Sequence, residues 1–231
     1  MPCDPDLLAL LRRHDTPTVN NAMVALRGRS LDGHTRGLPV ATAPEAPPFA
    51  GHAMTARLVS CTPSPAAAAA QRALRDAYYR YLDAGPRPAI IVMQDVGEIP
   101  HQGALWGEVN AAIHRGFGLA GAVVDGAIRD LGAIGPEFPI LGAAVSIGNG
   151  HAHMTEFDVE VRAFGLTVRP GDLLHADRHG AQVIPPSLWA GLPGAIAAVL
   201  AREQVVIAAT RAAGFGAEAM IRAWDAMGER H

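Results

Sequence analysis

Two adjacent side chains of opposite charge, Arg129 and Asp130, close the run Gly121-Ala122-Val123-Val124-Asp125-Gly126-Ala127-Ile128. The apolar part of that run reads as a buried strand ending at Asp125-Gly126, and open α/β sheets bind ligands at the carboxyl ends of their strands. Gly126 lets backbone approach a ligand, a guanidinium can hold a carboxylate through two parallel hydrogen bonds, and an aspartate offers the hard oxygen a divalent cation prefers. The competing reading is a surface ion pair, or a cap on a following helix. A second candidate lies upstream in Leu105-Trp106-Gly107-Glu108-Val109-Asn110, within a helix expected over residues 104–114. Backbone N–H groups at a helix start, with Gly107 leaving room, form a pocket for a substrate carboxylate. Glu108 stands in that first turn, where a carboxylate can also serve only the helix dipole.

Ten histidines are present, and four of them fall in His151-Ala152-His153 and His175-Ala176-Asp177-Arg178-His179. A His-x-His spacing on a strand puts both imidazoles on one face, which suits a transition metal; local hydrogen bonding is the alternative, and no fourth ligand can be named. Asp177 reads as a turn residue. Tyr78, Tyr79 and Tyr81 have helical spacing and are expected to pack or to make subunit contacts. They are the one aromatic cluster beside an arginine, so a nucleic-acid interface has little support. Gly116-x-Gly118-x-x-Gly121 precedes a strand instead of following one, the wrong context for a dinucleotide loop.

These residues need a scaffold, and the composition supplies one. The 231-residue chain is 49% hydrophobic, enough for a substantial core, and its 19 basic and 22 acidic residues give a net charge of -3 that leaves no footprint for nucleic acid or an anionic membrane. Cys3 and Cys61 form no zinc or redox spacing, which fits a reduced cytoplasm. No signal peptide is expected at the acidic start, nor an apolar run of the roughly 18 to 20 residues that span a bilayer. Expected elements are a helix over 4–13 broken at Thr16-Pro17-Thr18, and a second helix over 19–26. A loop with a short strand at 38–41 follows, then a half-buried strand over 51–60. An Ala-rich helix from Pro63 to about Leu82 leads to strands at 89–93, 121 onward and 140–147. Next come a loop and strand within 151–164, a hairpin of 173–177 with 181–184, and helices over 193–213 and 217–227. The strand-helix-strand order implies right-handed crossovers and parallel pairs.

Three blocks, 103–108 (Gly-Ala-Leu-Trp-Gly-Glu), 115–130 and 170–185 (Pro-Gly-Asp-Leu-Leu-His-Ala-Asp-Arg-His-Gly-Ala-Gln-Val-Ile-Pro), together resemble the RraA-like family. That family holds the 4-hydroxy-4-methyl-2-oxoglutarate/4-carboxy-4-hydroxy-2-oxoadipate aldolases and the regulators of ribonuclease E activity. The resemblance runs from about Thr16 to the last helix. It implies a single α/β RraA-like domain over 1–231, a layered ββα sandwich with core about 16–186 and C-terminal helices about 187–231. It further implies a cytoplasmic homo-oligomer, trimer or hexamer, with sites between subunits, and neither nucleic acid nor membrane as partner. By resemblance Arg129 binds substrate, Asp130 holds a divalent metal, Mg2+ or Mn2+, and Glu108 orients a water. Gly107, Glu108, Val109 and Asn110 would contact pyruvate's carboxylate. The pattern departs from the aldolases here, because Glu replaces Asp and Val109-Asn110 replaces two leucines. Glu203 resembles an acid lent to the neighbouring subunit's site. The activity implied is a metal-dependent carbon-carbon lyase, cleaving a 4-hydroxy-2-oxo diacid or decarboxylating oxaloacetate through a metal-stabilised enolate to give pyruvate. The alternative is a non-catalytic regulator of ribonuclease activity. Methyl transfer to a menaquinone precursor, a further activity linked to the family, finds no nucleoside-binding glycine loop.

Overall fold

The computed structural model describes residues 3–28, 32–37 and 39–227, and the chain separates into two compact units, Met1–Thr16 with Ser30–Pro186, and Pro17–Arg29 with Ser187–His231. Helix α1 (Pro5–Leu11) is capped by Asp4, whose side chain accepts the Asp6 N–H. Helix α2 spans Thr16–Arg27, so Thr16-Pro17 opens the second helix instead of merely ending the first, as a proline in a first turn can. The short early strand is β1 (Val40–Ala41); Leu38 lies outside the described residues.

The larger unit is built on β2 (Phe49–Val59), α3 (Ala68–Ala84), β3 (Ala89–Asp95), β4 (Ala104–Trp106), α4 (Glu108–Gly116), β5 (Leu119–Ile128) and β6 (Ile140–Val145). It continues with β7 (His153–Phe157), the hairpin β8 (Val161–Ala163) and β9 (Leu166–Val168), and the hairpin β10 (Leu173–Asp177) and β11 (Gly180–Val183). Nine strands among the described residues join in one sheet along β1-β6-β5-β3-β2-β10-β11, with β4 on β5 and β7 on β2. Strands β2, β3, β5 and β6 are mutually parallel, and α3 makes the crossover from β2 to β3. The central strands are buried on both faces, which is why β2 is not the half-buried strand its alternation suggests.

Alternate residues feed two cores. Ile91, Met93, Ala122, Val124 and Ile128 join Tyr78, Leu82 and Trp106 beneath α3 and α4. Ile90, Val92, Val123 and Leu141 meet Val161, Ala163, Leu166 and Val168 of the small hairpin. Each fully buried Ile or Val contributes roughly 1.5 to 3 kcal/mol. The result is the layered arrangement of sheet, second sheet and helices that the sequence implies.

Two local departures bear on the site. Residues 104–106 are strand, not helix, paired parallel to Ala127–Ile128, and α4 begins only at Glu108. No helix follows β5: Asp130 turns the chain, with its carbonyl accepting the Ala133 N–H at 2.9 Å, so Arg129 and Asp130 cap no helix of their own segment.

In the smaller unit α5 (Leu192–Arg211) and α6 (Ala217–Met227) follow α2. Helix α5 is long and apolar enough to cross a membrane, contrary to the expectation that no such run exists; Arg202 and Glu203 interrupt it only briefly. Leu192, Ala195, Ile196 and Val199 are nonetheless buried within the protein.

Candidate site at the carboxyl end of the parallel strands

Strand β5 does not end at Asp125-Gly126 but runs on to Ile128. Its pairing with β6 slips between Val124↔Gly142 and Ala127↔Ala144, so β5 spends three residues where β6 spends two. Such a bulge bends a strand and re-aims its side chains, and bulges recur beside sites. Its exit is fixed by the Arg129 N–H, which donates to the Trp106 carbonyl at 2.9 Å.

The structure brings Gly107, Glu108, Arg129 and Asp130 to one point. The Glu108 N–H donates to Asp130 Oδ2 at 3.1 Å, and Arg129 Nε stands 3.5 Å from the same oxygen. Gly107 precedes α4 with an extended φ of -156°, which any residue adopts; its reason is space, because a Cβ there would collide with Asp130 Oδ2 and press on Arg129 Cγ at 3.0 Å. Asp130 has φ +56°, a left-handed conformation that Asp tolerates better than most side chains. It is one of four non-glycine residues with positive φ among those described, and another, His101, lies in a neighbouring loop. Strain of this kind collects at functional sites.

Gly107 has no side chain to cap α4, and of the first-turn N–H groups Asp130 takes that of Glu108. The first turn of a helix leaves N–H groups without partners inside it, so Val109 and Asn110 can offer their amides to an anion. The Asn110 side chain braces the turn, its Nδ2 donating to the Leu105 carbonyl. Below it, His114 Nδ1 donates to the Asn110 carbonyl at 2.7 Å while Nε2 accepts the Tyr78 hydroxyl at 2.7 Å. Trp106 lies over the imidazole with centroids 4.4 Å apart. Burial pushes the His114 pKa down to about 4, so the ring is neutral and the two bonds are those a neutral imidazole can make. Burial likewise raises the Tyr78 hydroxyl well above its usual range. Tyr78 is thus a core residue, and Tyr81 accepts the Thr55 N–H at 3.0 Å.

Glu108 contributes its backbone N–H to the cluster. Glu203 lies in the smaller unit, where Oε1 accepts a long 3.4 Å bond from Asn21. Among the described residues no group of three His, Cys, Asp or Glu side chains could hold a metal ion. The donor set at Asp130 fits a different mode: Oδ2 is taken by the Glu108 N–H and Arg129, leaving Oδ1 for a hard cation that keeps most of its water.

The histidine-rich segments separate. His153 Nδ1 bonds the His151 carbonyl at 2.7 Å near the start of β7. His175 is buried, its Nε2 donating to the Leu11 carbonyl at 2.9 Å and its Nδ1 accepting from Gln182. His179 bonds Asp177, whose Oδ1 also accepts the Thr16 hydroxyl at 2.7 Å and whose Oδ2 accepts the Thr16 N–H at 2.8 Å. Asp177 is the turn residue expected, accepting the His179 N–H, and a tether for the start of α2 as well.

One cluster escaped the sequence reading. His101 Nε2 lies 3.2 Å from Asp125 Oδ1, Asp125 Oδ2 accepts the Phe164 N–H, and buried Asp95 gathers the Ser60 hydroxyl with the N–H groups of Gly97 and His101. The available signal was Asp125 itself, since a carboxylate within a central parallel strand must find partners.

Fold and site together define an α/β protein with a helix start, an arginine and an aspartate converging at the end of a parallel strand. The chain belongs to the RraA-like family (Aldolase/RraA), whose family model matches residues 16–183. An uncharacterized protein of Pseudomonas syringae pv. tomato superposes with TM-score 0.74 at 24% identity, over 98% of this chain and 96% of its own. Streptomyces coelicolor RraAS2, described as an unusual member of the RNase ES inhibitor RraA protein family, gives TM-score 0.64 at 23% identity, over 88% and 95%. A Halalkalibacterium halodurans protein named "Putative 4-hydroxy-4-methyl-2-oxoglutarate aldolase" is 34% identical over 98 residues, 42% of this chain and 46% of that protein. The chain spans less than half the length of the curated relatives it matches, between 17% and 46%.

Proposed function

We propose that the protein is a divalent-metal-dependent carbon-carbon lyase that cleaves or decarboxylates a small 2-oxo acid to release pyruvate. The observation that carries this reading is the convergence of the Glu108 N–H and Arg129 on Asp130 Oδ2 at the start of α4. Composition supports it from another side. All 19 basic residues of the chain are arginine, so no lysine is present to form an imine with a 2-oxo substrate. An electrophile other than a Schiff base is then required.

Asp130 would hold the ion, Mg2+ or Mn2+, whose chemistry when bound is Lewis-acid polarisation of the 2-oxo group. The amides of Val109 and Asn110 receive the substrate carboxylate, and Arg129 faces the negative charge that develops on the 2-oxo oxygen. In a 4-hydroxy-2-oxo acid, the 4-hydroxyl loses its proton and the C3–C4 electron pair passes into the enolate of pyruvate. The co-product leaves as a carbonyl compound, and C3 then takes a proton to become the methyl group. Glu108, exposed beside the helix start, would hold the water that moves these protons. Decarboxylation of oxaloacetate passes through the same enolate, with carbon dioxide as co-product. Glu203 of a neighbouring copy is the further acid this reading allows.

Purified protein with Mg2+ or Mn2+ is expected to release pyruvate from oxaloacetate or a 4-hydroxy-2-oxo acid, and Asp130→Ala to abolish the release. Pyruvate formation indifferent to that change sinks the lyase reading.

A further inference from the structure

The loops around Arg129 and Asp130 present large apolar side chains to solvent. Val109 is 71% exposed, Val145 52% and Ile147 fully exposed, with Leu131 and Ile99 also exposed. Each is tied to the site by backbone. Val109 follows Glu108, and Leu131 follows Asp130. Val145 pairs with Ile128, and the Ser146 N–H donates to the Ile128 carbonyl at 3.1 Å. Ile147 is held from both sides. Ser146 Oγ donates to the Gln102 carbonyl, and the Gly148 carbonyl accepts the Ala104 N–H at 2.9 Å. An isoleucine pinned in place and left fully exposed is an unfavourable use of apolar surface unless something covers it.

Charge narrows what covers it. The segments 96–103, 107–110, 129–133 and 145–150 contain one arginine, Arg129, against three carboxylates, Glu98, Glu108 and Asp130. Within one subunit a second substrate carboxylate would find no second arginine there and, with Asp130 engaged by the ion, would meet Glu108 instead, a like-charge encounter that disfavours binding.

We infer that the apolar collar of Val109, Leu131, Val145 and Ile147 receives the tail of the substrate, so the preferred substrate is a 2-oxo monocarboxylate with an alkyl or aryl substituent, not a diacid. This rests on the lyase reading for its chemistry, and the bond broken is the same C3–C4 bond. The co-product becomes an apolar aldehyde in place of an oxo acid.

The test compares 4-hydroxy-2-oxoheptanoate with 4-hydroxy-2-oxoglutarate and oxaloacetate on the full chain with Mg2+, reading pyruvate. Calorimetric binding of 2-oxooctanoate and 2-oxoglutarate supplies a readout that needs no turnover. The alkyl substrate is expected to have a kcat/KM at least about tenfold higher, and Ile147→Ser to shrink that ratio severalfold, as the loss of apolar contact in a pocket does. Ile147 is exposed, so its replacement leaves folding intact. Preference for the diacids, with pyruvate released, overturns the collar assignment and leaves the lyase reading standing. Tighter binding of 2-oxooctanoate without pyruvate from any substrate overturns the lyase reading and keeps the ligand class. If Ile147→Ser changes the sedimentation of the protein and not its substrate ratio, the collar is a subunit contact and the inference falls.

Discussion

Gly107 sets the tolerance of the candidate site. Its backbone is ordinary, but the volume its missing side chain leaves is filled by the Asp130 carboxylate and the Arg129 stem. Gly107→Ala is therefore expected to push both groups aside, destabilising the fold by about 1 to 3 kcal/mol as overpacking does. Pyruvate release should fall about a hundredfold, the usual consequence of moving reacting groups by an ångström. Urea denaturation and steady-state assays check the two effects, and an alanine variant with normal activity would remove Gly107 from the argument. At this scale much was legible in the sequence. A charged pair after an apolar strand and a glycine-acid pair before an amphipathic run are both visible as residue types. The pair His101–Asp125 was not, because its members stand 24 residues apart and only the fold joins them. That Glu108 enters through its N–H was equally hidden, since a carboxylate in a first turn advertises its side chain and not its backbone.

The elements around the site are held by a single guanidinium that the sequence left unremarked. Arg87 Nε donates to the Phe117 carbonyl at 2.7 Å beyond α4, Nη2 to the Leu82 carbonyl in the last turn of α3, and Nη1 to the Gly85 and Pro86 carbonyls. Unpaired carbonyls at a helix end carry partial negative charge, so one planar fork answers several of them at once. Arg87→Lys is expected to lose about 1 to 2 kcal/mol in urea unfolding, because an ammonium cannot reach the same set, and the loss is no larger because the side chain is exposed. A lysine variant of unchanged midpoint would show that the contacts are replaced by water without loss. Elements with strong periodicity or turn chemistry were readable: α6 and the β10–β11 hairpin lie within a residue of their expected bounds. The three-residue β4 was absorbed into the following helix, since three residues show no period. The bulge in β5 was invisible for a similar reason: it is defined by the partner strand and not by β5 itself.

In the molecule as a whole, acid sensitivity follows from two histidines buried as neutral rings. His114 and His175 are at most 1% exposed. Burial lowers each from 6.5 to about 4, in His175 against the opposing pull of Asp177 and the Leu11 carbonyl. The sign is that of a base harder to protonate in the fold than in the unfolded chain. Stability is complete above pH 6.5 and declines as pH falls from there toward 4, by roughly 3 kcal/mol for each ring. Protonation would also break the geometry. The Tyr78 hydroxyl and the Gln182 amide both donate to ring nitrogens that must stay bare. Asp177 acts in a lower window. Burial raises its pKa, yet the two bonds from Thr16 and the His179 N–H outweigh that and lower it, so its contribution is present above the ordinary aspartate range and is lost as pH falls through the lowered value. Urea unfolding at pH 7.5, 6 and 5 should therefore show a falling midpoint over a range where carboxylates are still ionised. His114→Gln should start less stable at pH 7.5, by about 1 to 3 kcal/mol for its disrupted buried bonds, and lose less on acidification. A variant with the same acid slope as the parent would mean that His114 takes up its proton alike in the folded and the unfolded chain, and the Tyr78–His114–Asn110 brace beneath the anion pocket would need another assignment of its protons.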